Sequence, residues 1–128
     1  MNVVDSTFLI DLLNCDEGAI QFAQKETQLY TTQINIFEIL RGLFRMQNPQ
    51  KKILDAIDLL KQLYVIPLND EGVIFAANIS SELLKKGMPS GDMDCLIAGI
   101  AKSHGVTTIV TRNVKHFKTM KGILVQEY

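Results

Sequence analysis

Four short stretches of the chain carry side chains able to do chemistry. Asp5 ends the run Asn2-Val3-Val4 and precedes Ser6-Thr7 and the apolar Phe8-Leu9-Ile10. Glu38 stands among Ile36, Phe37, Ile39 and Leu40, where an unpaired carboxylate would be costly to desolvate. Asp92 and Asp94 flank Met93 just ahead of the apolar Cys95-Leu96-Ile97-Ala98. Thr111-Arg112-Asn113 follows a β-like run from Thr107. Each has an ordinary structural explanation when taken alone. Asp5 and Asp92 suit helix N-caps, Asp94 suits a first helical turn, Glu38 can pair with Arg41 or Arg45, and Thr and Asn favour turns.

Taken together, the four stretches point further. Three or four carboxylates brought to one place repel one another, and a bound divalent cation or a shifted pKa relieves the repulsion. Oxygen donors without His or Cys select a hard ion, Mg2+ or Mn2+, over zinc. Such a site can bind a phosphodiester, activate water and stabilise a leaving oxygen. Phosphodiester hydrolysis is the reaction it fits best.

Something must position those residues. Short β-like runs at Asn2 to Val4, Leu29 to Thr32, Tyr64 to Pro67, Thr107 to Thr111 and Ile123 to Gln126 alternate with helical spacing. Examples are Ile53/Ile57/Leu60/Tyr64, Val73/Ala76/Ala77/Leu83/Leu84 and Met93/Leu96/Ile97/Ile100/Ala101. Gly87 after Lys85-Lys86 and Gly105 after His104 read as helix stops. The alternation predicts an α/β fold, a mostly parallel central sheet covered on both faces, with ligands gathering outside the carboxyl ends of the strands. No repeat, linker or low-complexity tract divides the chain, so one domain over 1–128 is expected. The apolar helices Ile53 to Tyr64 and Val73 to Leu84 can serve an interface or the core, and most of their residues are assigned to the core.

Composition narrows the partners. Thirteen Lys+Arg against fourteen Asp+Glu give a net charge of -1, which excludes a protein holding nucleic acid or membrane by bulk positive charge. The distribution is uneven, because Lys102 to Gln126 contains Lys102, Arg112, Lys115, Lys118 and Lys121 and no acid. These basic groups either form a solvated surface or neutralise phosphates beside Thr111-Asn113. Arg41 and Arg45 are weaker candidates for that task. No apolar run approaches the ~20 residues that cross a bilayer, and the N-terminus lacks a basic-then-apolar secretory pattern, so a cytoplasmic location is expected. Cys15 and Cys95 form no CxxC pair and read as buried thiols.

The motifs in order resemble the PIN domain family, in its VapC-type toxin nucleases. The resemblance runs from Val3-Val4-Asp5-Ser6-Thr7-Phe8-Leu9-Ile10 through Phe37-Glu38-Ile39-Leu40-Arg41-Gly42. It continues in Gly87-Met88-Pro89, Asp94-Cys95-Leu96-Ile97-Ala98-Gly99, Ile109-Val110-Thr111-Arg112-Asn113-Val114-Lys115-His116-Phe117 and Lys121-Gly122-Ile123. It implies a single-domain α/β/α sandwich and a Mg2+-dependent endoribonuclease acting on single strands. The family's three acids match Asp5, Glu38 and Asp94, and Asp92 matches an accessory ligand. Ser6 matches a hydroxyl residue supporting the first acid, and Thr111 and Asn113 match a Thr-x-Asp/Asn motif. Asn113 stands where some relatives have a fourth acid, and His116 where many have an acid before Phe117. Both departures bear on whether one metal or two would bind. The resemblance also implies a VapB-like antitoxin partner and a homodimer, while the charge distribution makes Arg112, Lys115 and Arg41 the candidate RNA contacts. Two alternatives stay open: a PIN nuclease of RNA maturation, and a non-catalytic domain binding RNA or protein. A response-regulator-like phosphoacceptor ranks last, because no Lys follows Thr107 to Thr111 in a suitable setting.

Overall fold

Val3 and Val4 point to opposite faces of one strand, and both are completely buried. A strand that buries both faces needs a layer on each side. In the computed structural model, which describes residues 1–128, that strand is β1 (Asn2–Val4). It is followed by α1 (Ser6–Leu13), α2 (Glu17–Lys25), β2 (Tyr30–Thr32), α3 (Gln33–Phe44), α4 (Gln50–Leu60) and β3 (Tyr64–Ile66). Then come α5 (Asp70–Lys85), α6 (Asp92–Ser103), β4 (Thr108–Val110), α7 (Val114–Phe117) and β5 (Leu124–Gln126). The five strands form one sheet in the order β3-β2-β1-β4-β5, with every pairing parallel.

On one face, Val4 and Val110 pack with Phe8 and Leu9 of α1, Ala19 of α2 and Ile39 of α3. On the other, Val3 meets Ile100 and Ala101 of α6, while Ile109 meets Ile97 and Ala98 of α6 and Ile79 and Leu83 of α5. The α/β/α sandwich is therefore present, and each expected strand exists with at most two end residues trimmed. Helix α5 begins at an Asn69 cap accepting from the Gly72 N–H at 2.7 Å. It stops at Gly87, whose φ of +67° is the left-handed conformation that glycine tolerates.

After β1 the chain builds toward β2 and β3, then crosses to the other side of β1 for β4 and β5. The β1/β4 boundary is thus the switch point of the sheet, and Val4 pairs there with Val110. Asp5 and Thr111, the next residues on each strand, emerge side by side.

Three expectations need correction. Cys15 is exposed, in a left-handed turn after α1 (φ 59°), and only Cys95 is buried. Assigning α4 and α5 mainly to the core overstates their burial: Leu54 is 62%, Ile74 68% and Leu84 64% exposed. Periodicity locates an apolar stripe but does not reveal whether a neighbour covers all of it. Finally, Gly91 caps α6, and Asp92 is its first helical residue, which frees the Asp92 side chain from capping. No helix is long and apolar enough to cross a membrane.

Candidate active site

Asp5 is 4% exposed and caps α1, its Oδ1 accepting from the Phe8 N–H at 3.1 Å. Capping and a chemical role are compatible here, because two hydroxyls also point at the carboxylate. Thr7 Oγ1 accepts the Arg112 N–H at 3.0 Å and donates to Asp5 Oδ1 at 2.6 Å. Thr111 Oγ1 accepts the Asn113 N–H at 2.9 Å and donates to Asp5 Oδ2. Each hydroxyl has its acceptor side occupied by backbone, so its proton is directed to Asp5. Burial pushes the Asp5 carboxyl up, and these donors, Thr111 first, pull against it.

Glu38 is held by a relay across the β2–α3 junction. Thr32 caps α3, donating to Asn35 Oδ1 at 2.7 Å while accepting the Asn35 N–H at 3.2 Å. The wholly buried Asn35 passes its amide to Ser6 Oγ at 3.1 Å, and Ser6 donates to Glu38 Oε1 at 2.7 Å. Burial raises the Glu38 carboxyl; the Ser6 bond lowers it, the charges of Asp94 and Asp5 raise it, and Arg41 lowers it. The structural alternative, a Glu38 spent on Arg41 or Arg45, is not realised, since neither arginine forms an ion pair with it.

Asp94 projects from the first turn of α6 and meets His116 of α7, with Oδ2 to Nδ1 at 2.9 Å. Its carboxyl is pushed up by burial and drawn back by the His116 partner.

One cavity of about 300 Å³ collects these groups. Asp5, Ser6, Glu38, Asp92, Asp94 and Asn113 line it, together with Thr7 and His116. Thr111 is wholly buried behind Asp5. The acids ring this space without forming a ready-made cluster of three metal-ligating groups. Each still has capacity for a cation. Asp5 Oδ2 accepts one hydrogen bond, and Glu38 Oε2 and Asp94 Oδ1 accept none. An oxygen-only donor set in which the charges of Asp94 and Asp5 both raise the Glu38 carboxyl fits a hard divalent ion.

The expected RNA contacts divide. Lys115 lines an adjoining cavity. Arg112 Nη1 is tied to Asp11 Oδ1 at 3.0 Å, and Asp11 Oδ2 also accepts from the Tyr128 hydroxyl at 2.6 Å. Arg41 lies over the Phe37 ring at 5.0 Å and lines neither cavity. Sequence reasoning passed over Thr7 and Asn35; the Thr-x-x-Asn spacing of a capping box at Thr32 could have singled out Asn35.

Residues 3–122 match the family model for the PIN domain. The chain is 33% identical to Ribonuclease VapC1 of Rickettsia felis over 128 residues, covering 96% of this chain and 92% of that protein. It is 26% identical to the tRNA(fMet)-specific endonuclease VapC of Salmonella typhimurium, covering 84% of this chain and 81% of that protein. Among solved structures, VapBC2 from Rickettsia felis bound to a promoter DNA fragment superposes with a TM-score of 0.91 at 19% identity, covering 99% of this chain and 98% of that one.

Proposed function

Since the chain belongs to the PIN domain family, we propose that it is an endoribonuclease, the toxin of a VapBC-type toxin–antitoxin pair, working from the acid cavity at the carboxyl ends of β1 and β4. The observation that carries this reading is the gathering of Asp5, Glu38, Asp92 and Asp94, from three separate elements, around one cavity. The same gathering weighs against a non-catalytic domain, for which four acids sharing a cavity would be an uncompensated cost.

Asp5, Glu38 and Asp94 would hold Mg2+ or Mn2+, with Asp92 as an accessory oxygen donor. When bound, such a cation neutralises the phosphodiester and makes water a stronger nucleophile at neutral pH. The chain's own residues prepare for it. Thr7 and Thr111 favour ionised Asp5, Ser6 favours ionised Glu38, and His116 fixes one oxygen of Asp94. Asn113 supplies a neutral amide at the cavity wall where a fifth acid would add charge, which supports a single-ion site.

A VapB-like antitoxin has a suitable seat. A groove of about 530 Å³ between α1, α3 and α4 is lined by Ile10, Leu13, Ile39, Leu43 and Met46 and reaches the acid cavity at Glu38. An apolar segment can lie in it with a basic side chain directed at the acids. The exposed Ile74 and Leu84 on α5 support a homodimer.

The deciding experiment expresses the wild type and Asp94→Asn in parallel and sequences cellular RNA ends. Cleavage sites found only with the wild type, lost again on removing Mg2+ from the purified enzyme, are the expected result. Equal cleavage by Asp94→Asn and Asp5→Asn, both folded by circular dichroism, would sink the assignment.

A further inference from the structure

A second polar cavity, about 350 Å³, lies on the far side of the Asp94–His116 pair. It shares Gly91, Asp94 and His116 with the acid cavity, so the two adjoin across that pair. Its walls are the loop before α6 and helix α7, and they are tied together by Ser90 Oγ donating to the His116 carbonyl at 3.3 Å. Lys115 and Thr119 complete the lining.

RNA carries one negative charge per nucleotide, so four acids at the scissile phosphate repel its neighbours unless a cation stands beside them. Two of the candidate cations around the acid cavity are committed elsewhere, while Lys52, which has no ion pair, lines the groove on the opposite, Glu38 side. Arg112 is paired with Asp11, and Lys51, in the apolar groove, is paired with Asp55 at 3.2 Å. Lys115 has no carboxylate partner. The one acid lining its cavity, Asp94, already holds His116. A lysine ammonium and a hydroxyl suit a phosphodiester, whose free oxygens only accept hydrogen bonds.

We propose that this cavity is a phosphate subsite, in which Lys115 and Thr119 seat the RNA phosphodiester adjacent to the one cleaved. The proposal rests on the ribonuclease reading and adds a direction to it. The strand leaves the acids over His116 toward α7, while the apolar groove on the Glu38 side is left to the protein partner.

The test is steady-state cleavage of a short single-stranded RNA by the wild type, Lys115→Ala, Thr119→Val and Lys61→Ala, the last a charge-matched control at the distant end of α4. Lys115→Ala should raise KM roughly three- to tenfold at low salt, keep kcat within about twofold, and make the slope of log KM against log salt shallower by about 0.7. Thr119→Val should raise KM less, and Lys61→Ala not at all. Substrates with an uncharged methylphosphonate at the linkage on either side of the cleaved one locate the contact. At one of the two positions the wild type should lose what Lys115→Ala loses, with no further loss when both changes are combined. Lys115→Ala indistinguishable from Lys61→Ala, a loss confined to kcat, or a Lys115 penalty that persists with either methylphosphonate would overturn the subsite alone. A wild type that cuts no RNA would overturn the ribonuclease reading and the subsite with it.

Discussion

Thr111 donates its hydroxyl proton to Asp5 Oδ2 although the two residues are 106 positions apart in the chain. The contact exists because β1 and β4 are adjacent parallel strands in register, Val4 beside Val110, and the Asp5 N–H donates to the Val110 carbonyl at 3.1 Å. A buried acid at the mouth of one strand is thereby served by a buried hydroxyl at the mouth of the next.

Replacing Thr111 with the near-isosteric valine removes that donor while keeping the volume. A hydrogen bond to a charged group contributes about 1.5–3 kcal/mol, and the carboxylate left behind is 4% exposed, with little water to substitute. Thr111→Val should therefore lose roughly tenfold or more in kcat, and Thr111→Ser should retain most activity. Parallel kinetics and thermal melts check this. Equal activity in the valine and serine variants would show that the methyl, not the hydroxyl, is what the site requires.

Asp5, Glu38 and Asp94 all have carboxyls raised by burial. An acid raised in the folded protein binds its proton more tightly there than in the unfolded chain. Between its ordinary value and its raised one the native state holds more protons, so its contribution to stability is present at low pH and lost as pH rises through that window. Glu38→Gln keeps an acceptor for Ser6 and removes one such group. In chelator, the variant should gain stability relative to wild type as pH is raised from about 4 to about 7. Mg2+ should reverse the order by stabilising the wild type, by about 2.7 kcal/mol at a hundredfold excess over Kd. Denaturant titrations at several pH values, with and without metal, test both signs. A variant whose relative stability falls with pH in chelator would contradict the raised carboxyl.

The sequence made some parts of this site legible and left others hidden for a physical reason. Asp5 and Glu38 stood out because carboxylates beside Val3-Val4 or between Phe37 and Ile39 must be compensated, and compensation is a chemical event. The strands stood out because β-branched runs alternate with helical spacing. Thr7 carries no such mark, and Thr32 and Asn35 carry only the spacing of a helix cap. They are common polar residues whose importance arises when β1 lies between β2 and β4, bringing Asn35 to Ser6 and Thr7 within 3.4 Å of Thr111. The Lys115 cavity is hidden for the same reason, since its walls come from two segments joined only in the folded chain.

The helix bearing Asp92 and Asp94 is held against α5 by the smallest possible contact. A Cβ at Gly99 would lie 2.4 Å from the Gly72 carbonyl oxygen and 2.7 Å from the Ala76 nitrogen, both backbone atoms unable to rotate away. Replacing a mid-helix glycine with alanine ordinarily stabilises a helix by about 1 kcal/mol, whereas overpacking costs about 1–3 kcal/mol. Gly99→Ala meets rigid backbone, so overpacking should win. The variant should melt several degrees lower, roughly 4 °C per kcal/mol, and lose cleavage as α6 moves its acids. A Cβ at Gly42, on α3, would meet nothing within 4 Å, so Gly42→Ala should gain up to about 1 kcal/mol. The pair of melts separates helix propensity from the α5–α6 contact. Equal gains at both positions would show that α6 can shift freely, and that the placement of Asp94 does not depend on Gly99.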